Sequence, residues 1–361
     1  MKPTFLTVAI AILCVFVIVF LLRRCRREPF SKFNQAELSD TAFGQMPGLT
    51  QPTIFVSVAS YRDDQCYKTI EDMFAKAARP DRVFVGIVEQ NKYDDKVAAE
   101  RENCIRRGTV PQKQVQRMKL DFTEARGPTK ARQLAATLWK GQKYFMQIDS
   151  HTTFAKNWDE IAIAELKKCP NPERTVLTAY PLDDQSYTEK STELVGMCGS
   201  KLNDDGLPVP TAKMLRPSVF GGKPKRTAFV AAGFFFVHAD WLKKVPFDPG
   251  LDHLFQGEEI LLAARSHTAG YDIYMPSRNI TLHSYLRHEK PKFWSDLKGW
   301  DYQNEKRKSE KRARRILGLE SPVIAPGTDN FGLGMLRSIE SYWKLAGIDP
   351  HAKTSSKDHF C

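Results

Sequence analysis

The sequence predicts an α/β fold built on a mainly parallel central sheet with helices on both faces, preceded by an N-terminal transmembrane helix. Three observations predict it. Short runs rich in β-branched residues alternate with helix-period stretches through residues 53–168, the pattern of strand, crossover and parallel strand. An apolar run without a single charge, FLTVAIAILCVFVIVFLL, extends from Phe5 to Leu22. The hydrophobic fraction of 42% over 361 residues is that of a protein with a sizeable core.

The elements follow in order. The Phe5–Leu22 run is long enough to cross a bilayer core. The cluster RRCRREP follows directly, whereas a cleaved signal peptide has a shorter apolar region and a small-residue cleavage site; residues 1–27 therefore read as a single-pass anchor with a basic flank. Arg23, Arg24, Arg26 and Arg27 follow the span and only Lys2 precedes it, so the charge rule places the body in the cytoplasm. Residues 28–50, with Pro, Ser, Asn and Gly and little apolar pattern, read as a stem. The folded body, residues 51–295, opens on TIFVSVAS, a buried strand by its continuous β-branched content, followed by a helix over about 68–78 and the strand RVFVGIV at 82–88. A charged helical stretch runs to Arg107, VQRMKL is a third strand, PTKARQLAATLWK starts a helix with Pro128 in its first turn, and KYFMQID is the next strand. Beyond residue 168 the strands shorten (RTVLTAYP, TAFVAAGFFFVHA, YDIYMP), and the prolines and glycines of 200–226 read as a mobile surface loop. Residues 296–361 read as a basic helical C-terminal extension packed on the body.

The net charge of +12 suits nucleic acid, an anionic membrane or an anionic nucleotide. No nucleic-acid motif is present, so KRKSEKRARR at 306–315 reads as a solvated basic helix that touches lipid headgroups. The seven cysteines include no CxxC pair; Cys14 lies in the anchor and Cys25 beside it. Cys66, Cys104, Cys169 and Cys198 suit disulfides in a secretory lumen and equally free packing thiols in the cytosol. The sequon Asn279-Ile280-Thr281 fits either case.

The chemistry concentrates at strand ends, where open parallel sheets bind ligands. In MQIDSHTTF, Asp149 and His151 lie two positions apart on an extended chain and so share a face, a chelating pair suited to a borderline divalent ion such as manganese. Ser60, Tyr61, Arg62 and Asp63 follow the first strand; Glu89, Gln90 and Asn91 follow the second. Arg126, Lys130 and Arg132, around GPTKAR at a helix start, suit phosphates through charge and helix-end amides. FQGEE places Glu258 and Glu259 at another helix start, where a capping role and a functional one are both open. His283, in TLHSYLRHEKP, supplies a third candidate ligand.

Together IFVSVASYRD, RVFVGIVEQN, ARGPTKAR, YFMQIDSHTTFAKNWD, LFQGEEILLAARSHTAGYDIYMP and the HSY segment resemble the glycosyltransferases that put GlcNAc on a hydroxyproline of a cytoplasmic ubiquitin-ligase adaptor. Trypanosomal surface-glycoprotein GlcNAc-transferases are similar, and the resemblance covers residues 53–295 in order. It implies a GT-A fold, a UDP-sugar donor, most readily UDP-GlcNAc, and manganese held by Asp149, His151 and His283. Polypeptide GalNAc-transferases, with an Asp-x-His pair and a later histidine, agree by analogy. The resemblance further implies that Arg62 and Glu89 lie near the nucleoside and Arg126 and Arg132 near the diphosphate or base, with Ser60, Lys130 and Asp149 also at the donor. Glu258 and Glu259 would face the sugar and acceptor, one of them stabilising an oxocarbenium-like transition state during retaining, α-forming transfer to a protein hydroxyl or glycan. Another UDP-sugar such as UDP-GalNAc or UDP-Gal, or a degenerate membrane-tethered glycan-binding module, are the alternatives. The anchor favours a Golgi or other secretory membrane, the arginines after it a cytoplasm-facing body.

Overall fold

The computed structural model describes residues 52–361 apart from Glu189, Lys190, Thr192, Arg287, His288 and Lys298. The anchor, basic flank and stem expected over residues 1–50 lie outside the described residues. Among those described, no helix is long and apolar enough to cross a membrane. The transmembrane helix and the single-pass membrane assignment are corrected accordingly, since no described element supports them.

The first half folds as the alternation requires. Strand β1 (Ile54–Tyr61) leads into α1 (Cys66–Lys76), then β2 (Val83–Asn91), the short α2 (Lys96–Arg101), β3 (Val115–Asp121), α3 (Pro128–Ala136) and β4 (Tyr144–Asp149). β1 pairs in parallel with β2 and β4, and β2 with β3. After β5 (Thr152–Phe154), α4 (Trp158–Lys167) and β6 (Thr175–Thr178) come β7 (Leu182–Asp183), β8 (Leu194–Leu202), β9 (Pro208–Leu215), β10 (Lys225–Thr227) and β11 (Phe234–His238). The chain closes with α5 (Trp241–Lys244), α6 (Glu258–Thr268), β12 (Asp272–Met275), β13 (Thr281–His283), α7 (Phe293–Asp296), α8 (Trp300–Ile316), α9 (Ile339–Ala346), β14 (Ile348–Asp349) and β15 (Thr354–Ser355).

The main sheet has eight strands in the order β10-β12-β6-β11-β4-β1-β2-β3; it is mixed, yet mainly parallel as expected, with six strands running one way and only β10 and β11 reversed. β11 is antiparallel to both β4 and β6, and the edge strand β10 is antiparallel to β12. A parallel return needs a crossover, usually a helix; between β6 and β11 the chain supplies instead the β8–β9 hairpin and a loop. That hairpin also replaces the mobile loop expected over 200–226, turning through Gly206 at φ +74°.

Alternate side chains feed two cores, one on each face of the sheet. Phe55, Phe145 and Phe235 join Trp241, Phe247 and α6, while Val56, Met146 and Phe236 join Ile70 of α1 and Trp158 of α4. Ala313 and Ile316 of α8 and Tyr342 and Trp343 of α9 are buried in the first of these cores. The basic run on α8 is largely paired within the protein: Arg312 bonds Asp248 at 2.6 Å and Asp329 at 2.8 Å, and Arg314 bonds Glu320 at 2.7 Å. Disulfides join Cys66 to Cys104 and Cys198 to Cys361, while Cys169 is a buried thiol.

Candidate active site

The parallel strands β1, β2 and β4 end on one edge, and a small sheet of β5, β13 and β7 stands beside it. β13 pairs antiparallel with β5, setting His283 opposite Thr152, and the Ser284 amide donates to the His151 carbonyl at 3.1 Å. This pairing carries His283 across about 130 residues of chain to the end of β4. One ligand atom each from Asp149, His151 and His283 lie within 4.8 Å of one another. His283 Nε2 is 3.3 Å from Asp149 Oδ2, and the two imidazole rings meet edge to face at 4.5 Å. A carboxylate with two imidazoles fits a borderline divalent ion.

Arg132, buried on α3, forks between two carboxylates, bonding Asp149 Oδ1 at 2.6 Å and Glu258. Burial opposes ionisation of Asp149, but the Arg132 guanidinium and the hydrogen bond from His283 hold its carboxyl well below the usual range. Burial raises Glu258 even against Arg132. Burial likewise pushes Glu259 up to about 7, although its carboxylate accepts from the Tyr180 hydroxyl at 2.6 Å and the Ala232 amide at 2.9 Å.

Two cavities share Arg132, Asp149, Phe255 and His283 as a common rim. One, of about 290 Å³, lies against the sheet edge and is lined by Tyr61, Asp63, Gln90, Pro128 and Phe293. The other, of about 350 Å³, is lined by Tyr180, Pro210, Gly233, Glu258, Glu259 and Tyr285. Phe255 and Trp294, 53% and 42% exposed, pack at 5.1 Å where the first cavity opens.

The expected site residues divide. Asp149, His151, His283, Arg132, Glu258 and Glu259 meet at these cavities. The other five, Ser60, Arg62, Glu89, Arg126 and Lys130, line neither cavity. Strand alternation turns Ala59 and Tyr61 to the first cavity and buries Ser60 on the other side. Arg62 is paired with Asp296 at 2.7 Å and Glu102 at 3.4 Å. Glu89, fully buried, accepts from the Cys104 amide and from Arg117 at 2.6 Å. Lys130 donates to the Pro249 carbonyl at 2.9 Å, and Arg126 is exposed.

Residues that carry the site without being assigned to it include Asp63, Tyr180, Tyr285 and Gly233. Asp63 stood among the polar groups after the first strand, but its partners Ser150 and His151 lie in the turn after β4 and only the fold brings them together.

The family described as Glycosyltransferase (GlcNAc) matches the chain over residues 53–107 and 100–352. No curated protein sequence matches it. Among solved structures the chain is similar to GalNAc-T7 with UDP, GalNAc and Mn2+, at a TM-score of 0.51 and 13% identity over 82% of this chain and 56% of that one. It is also similar to S. aureus TarS 1–349 in complex with UDP-GlcNAc, at a TM-score of 0.45 and 13% identity over 75% of this chain and 68% of that one. The chain thus spans little more than half the length of the GalNAc-T7 chain, and the likeness is one of fold, a mixed α/β arrangement of GT-A type.

Proposed function

The chain belongs to the GlcNAc glycosyltransferase family, and from that premise we propose that it transfers a sugar, GlcNAc from UDP-GlcNAc first, to a protein hydroxyl or a glycan with retention of anomeric configuration. The observation that carries this reading is the meeting of Asp149, His151 and His283 at the rim shared by two cavities. A nucleotide sugar needs two compartments with its diphosphate between them. In this reading the nucleoside occupies the cavity of Tyr61 and Gln90, and the sugar and acceptor occupy that of Tyr180 and Glu259. The first turn of α3 lines the first cavity through Gly127, Pro128 and Ala131, and a helix start is a favourable setting for phosphate oxygens.

A divalent ion, manganese first, held by Asp149, His151 and His283, would offset the negative charge that grows on the departing nucleoside diphosphate. The remaining work falls to the chain. Arg132 keeps Asp149 ionised and ties it to Glu258, so the carboxylates on the two sides of the rim are set by one rigid guanidinium. As the bond from the anomeric carbon to the diphosphate oxygen breaks, its electron pair leaves with UDP. The acceptor oxygen bonds that carbon from the same face, and its proton passes to the departing diphosphate. Positive charge on the sugar ring is stabilised by Glu258, the carboxylate of the second cavity that the Arg132 fork fixes nearest Asp149.

The test is UDP release by the purified chain with UDP-GlcNAc, UDP-GalNAc and UDP-Gal, in manganese and in chelator. Chelator-sensitive release from UDP-GlcNAc alone is expected. Release from another donor alone would replace the donor assignment, and absence of both release and UDP binding would overturn the catalytic reading.

A further inference from the structure

Asp63 is 1% exposed, yet it borders the first cavity and is not one of the three clustered candidate ligands. Its Oδ2 accepts from the Ser150 hydroxyl at 2.6 Å and lies 2.8 Å from His151 Nδ1. Its Oδ1 accepts from the Gln65 amide at 3.0 Å. A buried carboxylate that accepts from Nδ1–H fixes both the ring orientation and the tautomer of a histidine, directing coordination to Nε2 and raising its basicity.

The backbone is shaped to bring this carboxylate to the end of β4. Arg62, immediately before Asp63, adopts a left-handed conformation at φ +47°, uncommon for a residue with a side chain. Its amide donates to the Gln90 carbonyl at 3.0 Å, and its guanidinium pairs with Asp296 and Glu102. The turn after β1 is thereby held from the neighbouring strand and from α7. From the other side Thr69 of α1 clamps the Asp149–Thr152 turn: its hydroxyl donates to the Ser150 carbonyl and accepts from the Thr152 amide, each at 2.9 Å.

We infer that Asp63 is a positioning residue of the metal site, a carboxylate that sets the His151 imidazole for coordination by way of Nδ1. The inference rests on the metal reading of Asp149, His151 and His283. It also gives the strained Arg62 a role other than donor contact: the guanidinium latches the turn that delivers Asp63.

The experiment measures binding of Mn2+ alone to the full chain by the electron paramagnetic resonance signal of free Mn2+, for the wild type, Asp63→Asn, Asp63→Ala and His151→Ala. Thermal unfolding is followed for each, and the tautomer of His151 is read by 15N chemical shifts. Loss of a partner carboxylate behind a ligating histidine weakens metal affinity by about 10- to 100-fold. Asp63→Ala is expected in that range, with the Nδ1-protonated tautomer of His151 lost; Asp63→Asn is expected below it, because its amide oxygen still accepts from Nδ1–H. If either Asp63 variant is unfolded, the other and the tautomer signal of the wild type decide: a wild-type His151 protonated at Nε2 overturns the inference. Unchanged Mn2+ affinity in a folded Asp63 variant, with affinity lost in His151→Ala, overturns the inference and leaves the metal reading standing. Absence of Mn2+ binding by the folded wild type overturns both.

Discussion

Gly233 lies directly behind the carboxylate of Asp149: a Cβ at position 233 would stand 2.9 Å from Asp149 Oδ2. That approach is closer than real Cβ contacts allow, so any side chain there must displace the carboxylate. The same Asp149 oxygen faces His283, which makes Gly233 a space-keeping element of the candidate metal centre. Gly233→Ala is expected to lower transfer by about 10- to 100-fold, as sub-ångström to ångström misplacement of a reacting group does. The melting temperature should move little, because the displaced atoms end a side chain. Wild-type turnover in a folded Gly233→Ala protein would show that Asp149 does not act at its observed position.

Arg132 supplies the second prediction. Its guanidinium is the shared partner of Asp149 and Glu258, and all three lie at the buried junction of the cavities. Removing one partner of a buried ion pair leaves an uncompensated charge and costs about 3–5 kcal/mol. Arg132→Met should lose stability on that scale in denaturant unfolding, and the double variant Arg132→Met/Glu258→Gln should recover part of it. Arg132→Lys should not restore wild-type stability, since an ammonium cannot fork to two carboxylates in the fixed geometry of a guanidinium. A loss below 1 kcal/mol in Arg132→Met would mean that solvent reaches the pair.

How much of this was readable from the chain depends on how far apart the partners lie. Asp149 and His151 sit two residues apart at the end of β4, and although the chain turns after Asp149 rather than staying extended, the short spacing still keeps both at one site. His283 joins them through β13–β5 pairing, which no local pattern encodes; the family resemblance marked it, and the small sheet shows why. Phe234 to Val237 is apolar at every position and buried on both faces, so its sequence looks the same in a parallel or an antiparallel strand. The β8–β9 hairpin was hidden by the prolines and glycines of its own strands and turn. Charge alone does not name a partner: Arg62 and Lys130 have the chemistry of phosphate ligands, yet the fold gives the first to Asp296 and Glu102 and the second to the 249–252 turn.

His283 provides the sharpest test of the metal centre, because it enters the site from a separate sheet. Backbone pairing of β13 with β5 and β7 does not depend on the imidazole, so His283→Ala should fold. The Mn2+ concentration that gives half-maximal UDP release should rise by more than about tenfold, and the order of donor preference should be kept. An unchanged manganese requirement in the folded variant would remove His283 from the ligand set.

Glu259 predicts a pH dependence that separates it from its neighbour. Burial raises its carboxyl from an ordinary value of 4.5 to about 7, while hydrogen bonds from Tyr180 and Ala232 pull the other way without winning. A raised folded-state value means that the folded protein holds this proton more tightly than the unfolded chain does. Its contribution to stability is therefore complete below pH 4.5 and is lost as pH rises through 7. Glu259→Gln keeps the shape and has no proton to lose, so the stability difference between variant and wild type should shift in favour of the variant between pH 5 and 8. Denaturant unfolding at both values measures it. The Tyr180 hydroxyl donates to the ionised carboxylate, so Tyr180→Phe should steepen the wild-type loss by removing the bond that favours the charged form. Parallel pH profiles for wild type and Glu259→Gln would show that the Glu259 carboxyl does not titrate between pH 5 and 8 in the folded protein.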